Sequence, residues 1–273
     1  MTTTSTTVRH NPLLDRLRQG EFTLILTVRG SRTADVLRIA KSTGHQAVMI
    51  DLEHSSLSID TAAQLCATAG DLGLTPLVRV PEREYGMIGR LLDGGAHGIV
   101  FPRVATVAQA RNAVSACRFT PHGERSAIAM APQLGFRPAT SAKELNDALD
   151  QLTIVNIMIE TPEGVADAEA IAALEGVDIL TIGSNDLTAE LGVPGEYGHP
   201  KFRDAVATVA QACRKHGKLI QLGGIGDLGL LASYLPLGIA PIQVTGGDEG
   251  LLYAAADMRA KQLTAWYEAA TKE

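Results

Sequence analysis

The chain has 273 residues, a formal charge of −6 and 45% hydrophobic residues, enough to bury the core of one large domain. Lys and Arg are scattered rather than clustered, which argues against nucleic acid or an anionic membrane as partner, and no uncharged apolar run is long enough to cross a bilayer. The polar start MTTTSTTVRH lacks the apolar core of a secretory signal, so a soluble, cytoplasmic protein is expected.

After a tail and lead-in over residues 1–20, short β-branched runs alternate with Ala-rich amphipathic segments across 21–273, the mark of parallel βα units. Strands are predicted at Phe22–Val28, Ala47–Asp51, Pro76–Val80, Gly98–Phe101, Ile154–Ile159, Ile179–Ile182, Leu219–Leu222 and Ile242–Thr245. Helices are predicted at about 33–43, 59–72, 83–94, 106–117, 163–174, 200–216, 227–235 and 249–270, with Asp60, Thr106, Ser141 and Asp227 where N-caps belong. Cys66, Cys117 and Cys213 lie in helical patterns and read as reduced core thiols. One connection breaks the rhythm: residues 119–150, ending in a short helical pattern, form an excursion of the length that carries function or an interface. Eight strands favour closure into a single (β/α)8 barrel. The alternative, an open doubly wound sheet, calls for a Gly-rich dinucleotide fingerprint after the first strand, and Thr27-Val28-Arg29-Gly30-Ser31 is not one.

Barrel active sites lie at the C-terminal ends of the strands, so polar residues there are the candidates. VMIDLEH supplies Asp51, Glu53 and His54; PLVRVPE supplies Arg79; NIMIETPEG supplies Glu160; ILTIGSNDL supplies Asp186. Glu160 and Asp186 stand about one βα unit apart, so their carboxylates can share an ion, and oxygen ligands without Cys or paired His suit Mg²⁺ or Mn²⁺. Each acid also has an ordinary use at a helix start, as cap or dipole partner. His54 reads equally as a structural hydrogen-bonding residue. Arg79 follows the apolar run Pro76-Leu77-Val78 and needs an anionic partner, either a substrate oxygen or a structural carboxylate such as Asp51 or Glu53. Gly183, Ser184 and Asn185 open a helical turn whose free N–H groups suit a substrate carboxylate, although an ordinary tight turn has the same composition. Glycines at 223, 224 and 226 and at 246 and 247 sit at the same mouth.

These stretches carry a likeness. IDLEHSSLS, PLVRVPE, LLDGGAHGIVFPRV, IETPEG and IGSNDLTAELG, in this order and spacing, resemble the HpcH/HpaI aldolase/citrate lyase family, specifically its class II pyruvate aldolase branch, over about Leu24 to Leu252. The resemblance implies that Glu160 and Asp186 hold a divalent metal (Mg²⁺ or Mn²⁺, with Co²⁺ as an alternative). It further implies that Arg79 binds the substrate's keto oxygen and that His54, supported by Asp51, does acid/base work. It places Asp93 near the active site and a subunit interface, and implies a homohexamer, a dimer of trimers that exchange the helix LLYAAADMRAKQLTAWYEAA. Two positions depart from the pattern: Met158 stands where many members have Gln, and Ser126 follows Arg125 where many have Gly. Both departures bear on the shape of the pocket, so the natural substrate of the best-known relatives is not carried over to this chain.

The expected reaction is reversible cleavage of a 4-hydroxy-2-keto acid into pyruvate or hydroxypyruvate and an aldehyde. A Schiff-base route is disfavoured because no lysine ends a predicted strand; Lys218 begins the seventh. A decarboxylase or tautomerase of oxaloacetate-like acids would use the same site. The rival from another class is a barrel that binds a small acid without catalysis.

Overall fold

The computed structural model describes residues 11–271; the MTTTSTTVRH tail lies outside the described residues. Eight parallel strands, β1 (Thr23–Val28), β2 (Ala47–Asp51), β3 (Thr75–Arg79), β4 (Gly98–Phe101), β5 (Ile154–Ile159), β6 (Ile179–Gly183), β7 (Leu219–Gly223) and β8 (Ile242–Gly247), pair in the order β7-β6-β5-β4-β3-β2-β1-β8. The two ends of the sheet meet at a seam where the Ala240 N–H donates to the Ile220 carbonyl at 2.8 Å, so the sheet is a nearly closed barrel.

The described helices are α1 (Pro12–Arg18), α2 (Asp35–Ser42), α3 (Ile59–Asp71), α4 (Ile88–Asp93), α5 (Val107–Cys117), α6 (Ala142–Leu152), α7 (Pro162–Ala166), α8 (Ala168–Ala172), α9 (Ser184–Glu190), α10 (Pro200–Lys215), α11 (Leu228–Ala232) and α12 (Asp248–Ala270). Thr106, Ser141 and Asp227 cap α5, α6 and α11 as expected, Thr106 within a capping box with Gln109. Asp60 does not cap α3. Ser58 does, its hydroxyl accepting the Thr61 N–H at 3.1 Å, because Ser58 has the extended backbone a cap requires. Asp60 lies inside the first turn and accepts from the Gln64 amide at 3.0 Å.

The strands alternate, apart from a register shift where β8 pairs with β1. Leu26, Val28, Val48, Ile50, Val78, Ile99, Val155, Ile157, Leu180 and Ile220 point outward and pack beneath the helices, with all three cysteines free and buried in that layer. Ile25, Leu77, Val100, Ile154, Ile179 and Ile242 point inward, and the lead-in, left without structure by the sequence, supplies α1 to plug the lumen from below with Leu13, Leu14 and Leu17. Asn11 holds this plug: its Oδ1 accepts the Leu13 N–H at 3.0 Å while its Nδ2 donates to the Leu152 carbonyl at 2.5 Å.

The long helix α12 buries none of its residues, and Leu252, Tyr253, Trp266 and Tyr267 are all exposed. Among the described residues no helix is long and apolar enough to cross a membrane. The 119–150 excursion lies against the α3–α4 side, where the Gln133 amide donates to the carbonyls of Leu92 and Ala96, the latter at 3.1 Å.

Candidate active site

With the lower lumen filled by apolar side chains, the inward positions turn polar toward the mouth. Asn156, Thr181 and Gln221 form a buried floor, with the Thr181 hydroxyl 2.8 Å from Asn156 Oδ1 and 3.1 Å from Gln221 Oε1. Above it opens a cavity of about 320 Å³ lined by Arg29, His54, Arg79, Glu160, Ser184 and Asp186 among others.

Asp51 and Arg79 occupy paired positions on β2 and β3, which sets their side chains side by side. Asp51 is fully buried, and a buried carboxylate is tolerated only when paired. Arg79 Nε and Nη2 donate to it at 3.0 and 2.6 Å, Arg29 Nε at 2.6 Å, and the N–H groups of Glu53 and His54 at 3.1 and 3.3 Å. Burial raises the Asp51 pKa, but hydrogen bonds and charge from Arg79, with the Arg29 bond, outweigh it and hold the carboxyl at about 2. Arg79 also reaches Glu53 through Nη1 at 3.2 Å, so the structural ion pair weighed from the sequence exists with both acids, while Arg79 still lines the cavity. His54 is at the rim, more than half exposed. Asp51 holds its backbone N–H, and the carboxylate facing its ring belongs to Glu53, at 3.6 Å.

Across the mouth, Glu160 is 3% exposed and accepts the Arg103 N–H at 2.8 Å; Arg103 adopts φ +50°, a conformation costing a non-glycine residue about 1–3 kcal/mol. Burial pushes the Glu160 carboxyl up to about 7; the Arg103 N–H pulls it down, and the charges of Asp186 and Glu53 push it further up. Asp186, in the first turn of α9, is half exposed, with Arg103 Nη1 4.0 Å from its Oδ1. Gly183 is needed for Glu160: a Cβ there would sit 2.2 Å from Glu160 Oε1. Ser184 is buried, and its hydroxyl has no partner among the described residues. Asn185 accepts from the Tyr197 hydroxyl at 2.5 Å.

Asp93 is not brought to this mouth. It ends α4 and takes a 2.9 Å bond from Arg125, whose buried guanidinium stacks over Phe119. Met158, the departure from the family pattern, lines the cavity, and among the described residues no lysine does; the Lys218 ammonium instead donates to the Val177 carbonyl at 2.7 Å.

Sequence reasoning missed Arg29, although it follows directly on β1 and the strand-end rule points to it. It also missed Arg103, whose role rests on a left-handed backbone that no local sequence signal marks, and the lumen amides, which read as ordinary interruptions of apolar strands.

The HpcH/HpaI aldolase/citrate lyase model matches residues 26–222. The 4-hydroxy-4-methyl-2-oxoglutarate aldolase of Hapsidospora irregularis is 41% identical over 217 residues, covering 79% of this chain and 80% of that protein. The 2-keto-3-deoxy-L-rhamnonate aldolase of Escherichia coli O9:H4 is 33% identical over 211 residues, covering 76% and 77%. A solved HpcH/HpaI aldolase/citrate lyase family protein from Burkholderia cenocepacia superimposes with a TM-score of 0.80 at 30% identity, over 93% of this chain and 99% of that one. The barrel, its strand-end acids and these likenesses agree: the chain belongs to the HpcH/HpaI aldolase/citrate lyase family and is an enzyme of the aldolase class.

Proposed function

We propose that this enzyme is a divalent-metal-dependent aldolase that cleaves 4-hydroxy-2-keto acids to pyruvate or hydroxypyruvate and an aldehyde. The observation that carries the reading is Glu160, a carboxylate buried at the mouth with a backbone N–H on it and, among the described residues, no cationic side chain bonded to it, and with a second acid, Asp186, on the same cavity. Such a group is held ionised by a cation, and two carboxylates without sulfur or imidazole suit Mg²⁺ or Mn²⁺, with Co²⁺ an alternative. Among the described residues no third acid, His or Cys completes a cluster, which leaves coordination positions for water and for substrate oxygens. When bound, the ion supplies Lewis acidity at the keto oxygen.

The chain's own groups do the rest. Arg79, fixed by Asp51 and Glu53, donates to the same keto oxygen as negative charge develops on it during cleavage. The N–H groups at the start of α9 and the unpartnered Ser184 hydroxyl receive the substrate carboxylate beside Asn185, and Gly183 keeps Glu160 in place. His54, at the rim, takes the proton of the 4-hydroxyl and returns it in the synthetic direction.

The exposed apolar side chains of α12, with the uncovered Phe22 before β1 and Leu228 at the start of α11, support exchange of this helix between subunits of a hexamer, with Asp93 turned toward a neighbour. A cytoplasmic setting fits three unpaired thiols. The test is pyruvate release from a 4-hydroxy-2-keto acid. EDTA should abolish it and Mg²⁺ or Mn²⁺ restore it; activity indifferent to EDTA would refute the metal site.

A further inference from the structure

The mouth is polarised. Glu160 and Asp186 stand on the β5–β6 side, and in an eight-stranded barrel β1 and β2 lie diametrically opposite, where Arg29 and Arg79 gather around Asp51. On the proposed reading, the β5–β6 side holds the carboxylate end of the 2-keto acid and Arg79 takes its keto oxygen, so the rest of the substrate lies beside Arg29, the other guanidinium of this wall.

The two guanidiniums on that wall are used differently. Nε, Nη1 and Nη2 of Arg79 each bond Asp51 or Glu53, and on the proposed reading a remaining N–H goes to the keto oxygen. Arg29 commits Nε alone, at 2.6 Å to Asp51, and its two terminal amino groups have no partner among the described residues although the side chain lines the cavity. Neutralising Asp51 does not require Arg29, because Arg79 already grips both carboxylate oxygens. Nor is Arg29 a loose surface side chain. Its backbone N–H and those of Gly30 and Ser31 donate to the Asp248 carboxylate at 2.9, 3.2 and 2.7 Å, which fixes the turn, while Asp51 fixes the side chain. A guanidinium held at Nε with its outer edge open presents paired N–H donors in the geometry that matches a carboxylate.

We propose that Arg29 is a specificity-determining residue that receives a second, distal carboxylate, so that the enzyme favours 2-keto acids bearing an acid group at their far end. The assignment rests on the aldolase reading for the orientation of the substrate and is tested without turnover. Binding of 2-oxoglutarate and of 2-oxopentanoate, which differ in the distal carboxylate, is measured by calorimetry on the Mg²⁺-supplied protein. Wild type is expected to bind 2-oxoglutarate at least tenfold more tightly, consistent with a charge-assisted pair. Arg29→Gln brings the two within about twofold, and Arg29→Lys retains part of the preference, since it keeps the charge and loses the fork. Equal affinities in wild type, or a preference that survives Arg29→Gln, overturn the assignment. Cleavage is assayed separately, so an inactive wild type that still shows the Arg29-dependent preference defeats the aldol reading and leaves the carboxylate receptor standing.

Discussion

Replacing Gly183 by Ala puts the proposed metal site under the most direct strain the structure offers. The added Cβ falls 2.2 Å from Glu160 Oε1, 2.5 Å from Cγ and 2.7 Å from Cδ. Nonbonded carbon and oxygen need more than 3 Å, so the carboxylate must withdraw by about 1 Å. The backbone is not the obstacle, because Gly183 has φ −83°, which alanine adopts without strain. Overpacking at such a position costs about 1–3 kcal/mol, so the variant folds with a somewhat lower Tm. A 1 Å misplacement at a reacting centre costs on the order of 100-fold in rate. Loss of ligand geometry is expected to weaken Mn²⁺ binding about 10–100-fold, as disturbing a ligand's supports does. Calorimetric titration with Mn²⁺, alongside circular dichroism and pyruvate release, reads all three. A Gly183→Ala protein that keeps its Mn²⁺ affinity within twofold, or one that loses it no less when Glu160 is already Gln, would show that Glu160 does not hold the metal.

Arg79→Ala should abolish cleavage while the fold persists at a cost of about 3–5 kcal/mol, because Asp51 retains Arg29; turnover near the wild-type rate would end its assigned role. Asp51 has a depressed folded pKa, so its stabilisation is complete above the ordinary value of 3.8 and is lost as pH falls through about 2. The shift corresponds to about 2 kcal/mol, and the stability gap between wild type and Asp51→Asn in urea should narrow by that amount from pH 5 to pH 2; parallel curves would contradict it. Glu160 titrates near 7 without metal, so protons compete with the cation and Mn²⁺ affinity should fall by up to tenfold per pH unit below 7. Leu252→Asp, on an exposed face of α12, is harmless to a monomer but should break the hexamer in sedimentation; an unchanged assembly would refute helix exchange.

The barrel was legible because its strands carry two independent patterns, apolar on both faces below and polar only at one end above. Predicted strand limits fall within two residues of those observed, since β-branched runs bounded by turns fix them. The plug α1 was not legible: seven residues carry too little periodicity, and what makes them a helix is the lumen they fill and the cap Asn11 provides. Strand ends pointed to Arg79, Glu160 and Asp186, which line the cavity, and to Asp51, which is buried behind Arg79. Which carboxylate each arginine would hold depends on register across neighbouring strands, so the Asp51–Arg79–Glu53 network was visible only as alternatives. Asp93 shows the limit from the other side, since a motif can be recognised while the chain that contains it holds it away from its own mouth, on Arg125.

The two walls of the mouth explain why its acids behave so differently. Asp51 and Glu160 both end their strands facing inward and both are buried, with 0% and 3% exposure, yet one is held near pKa 2 and the other rises to about 7. Desolvation acts on both in the same direction; the difference is two guanidiniums bonded to Asp51, against one N–H and two neighbouring negative charges for Glu160. Asp51 is therefore a finished structural ion pair that orders Arg79 and Arg29. Glu160 is an unfinished one, and a carboxylate buried without a side-chain cation is stable in its charged form only when a cation arrives from outside the chain. On the proposed reading, that deficit, beside a half-exposed acid that solvent can reach, is what a divalent ion fills, and an anionic substrate then lies between the ion and the arginines across the mouth.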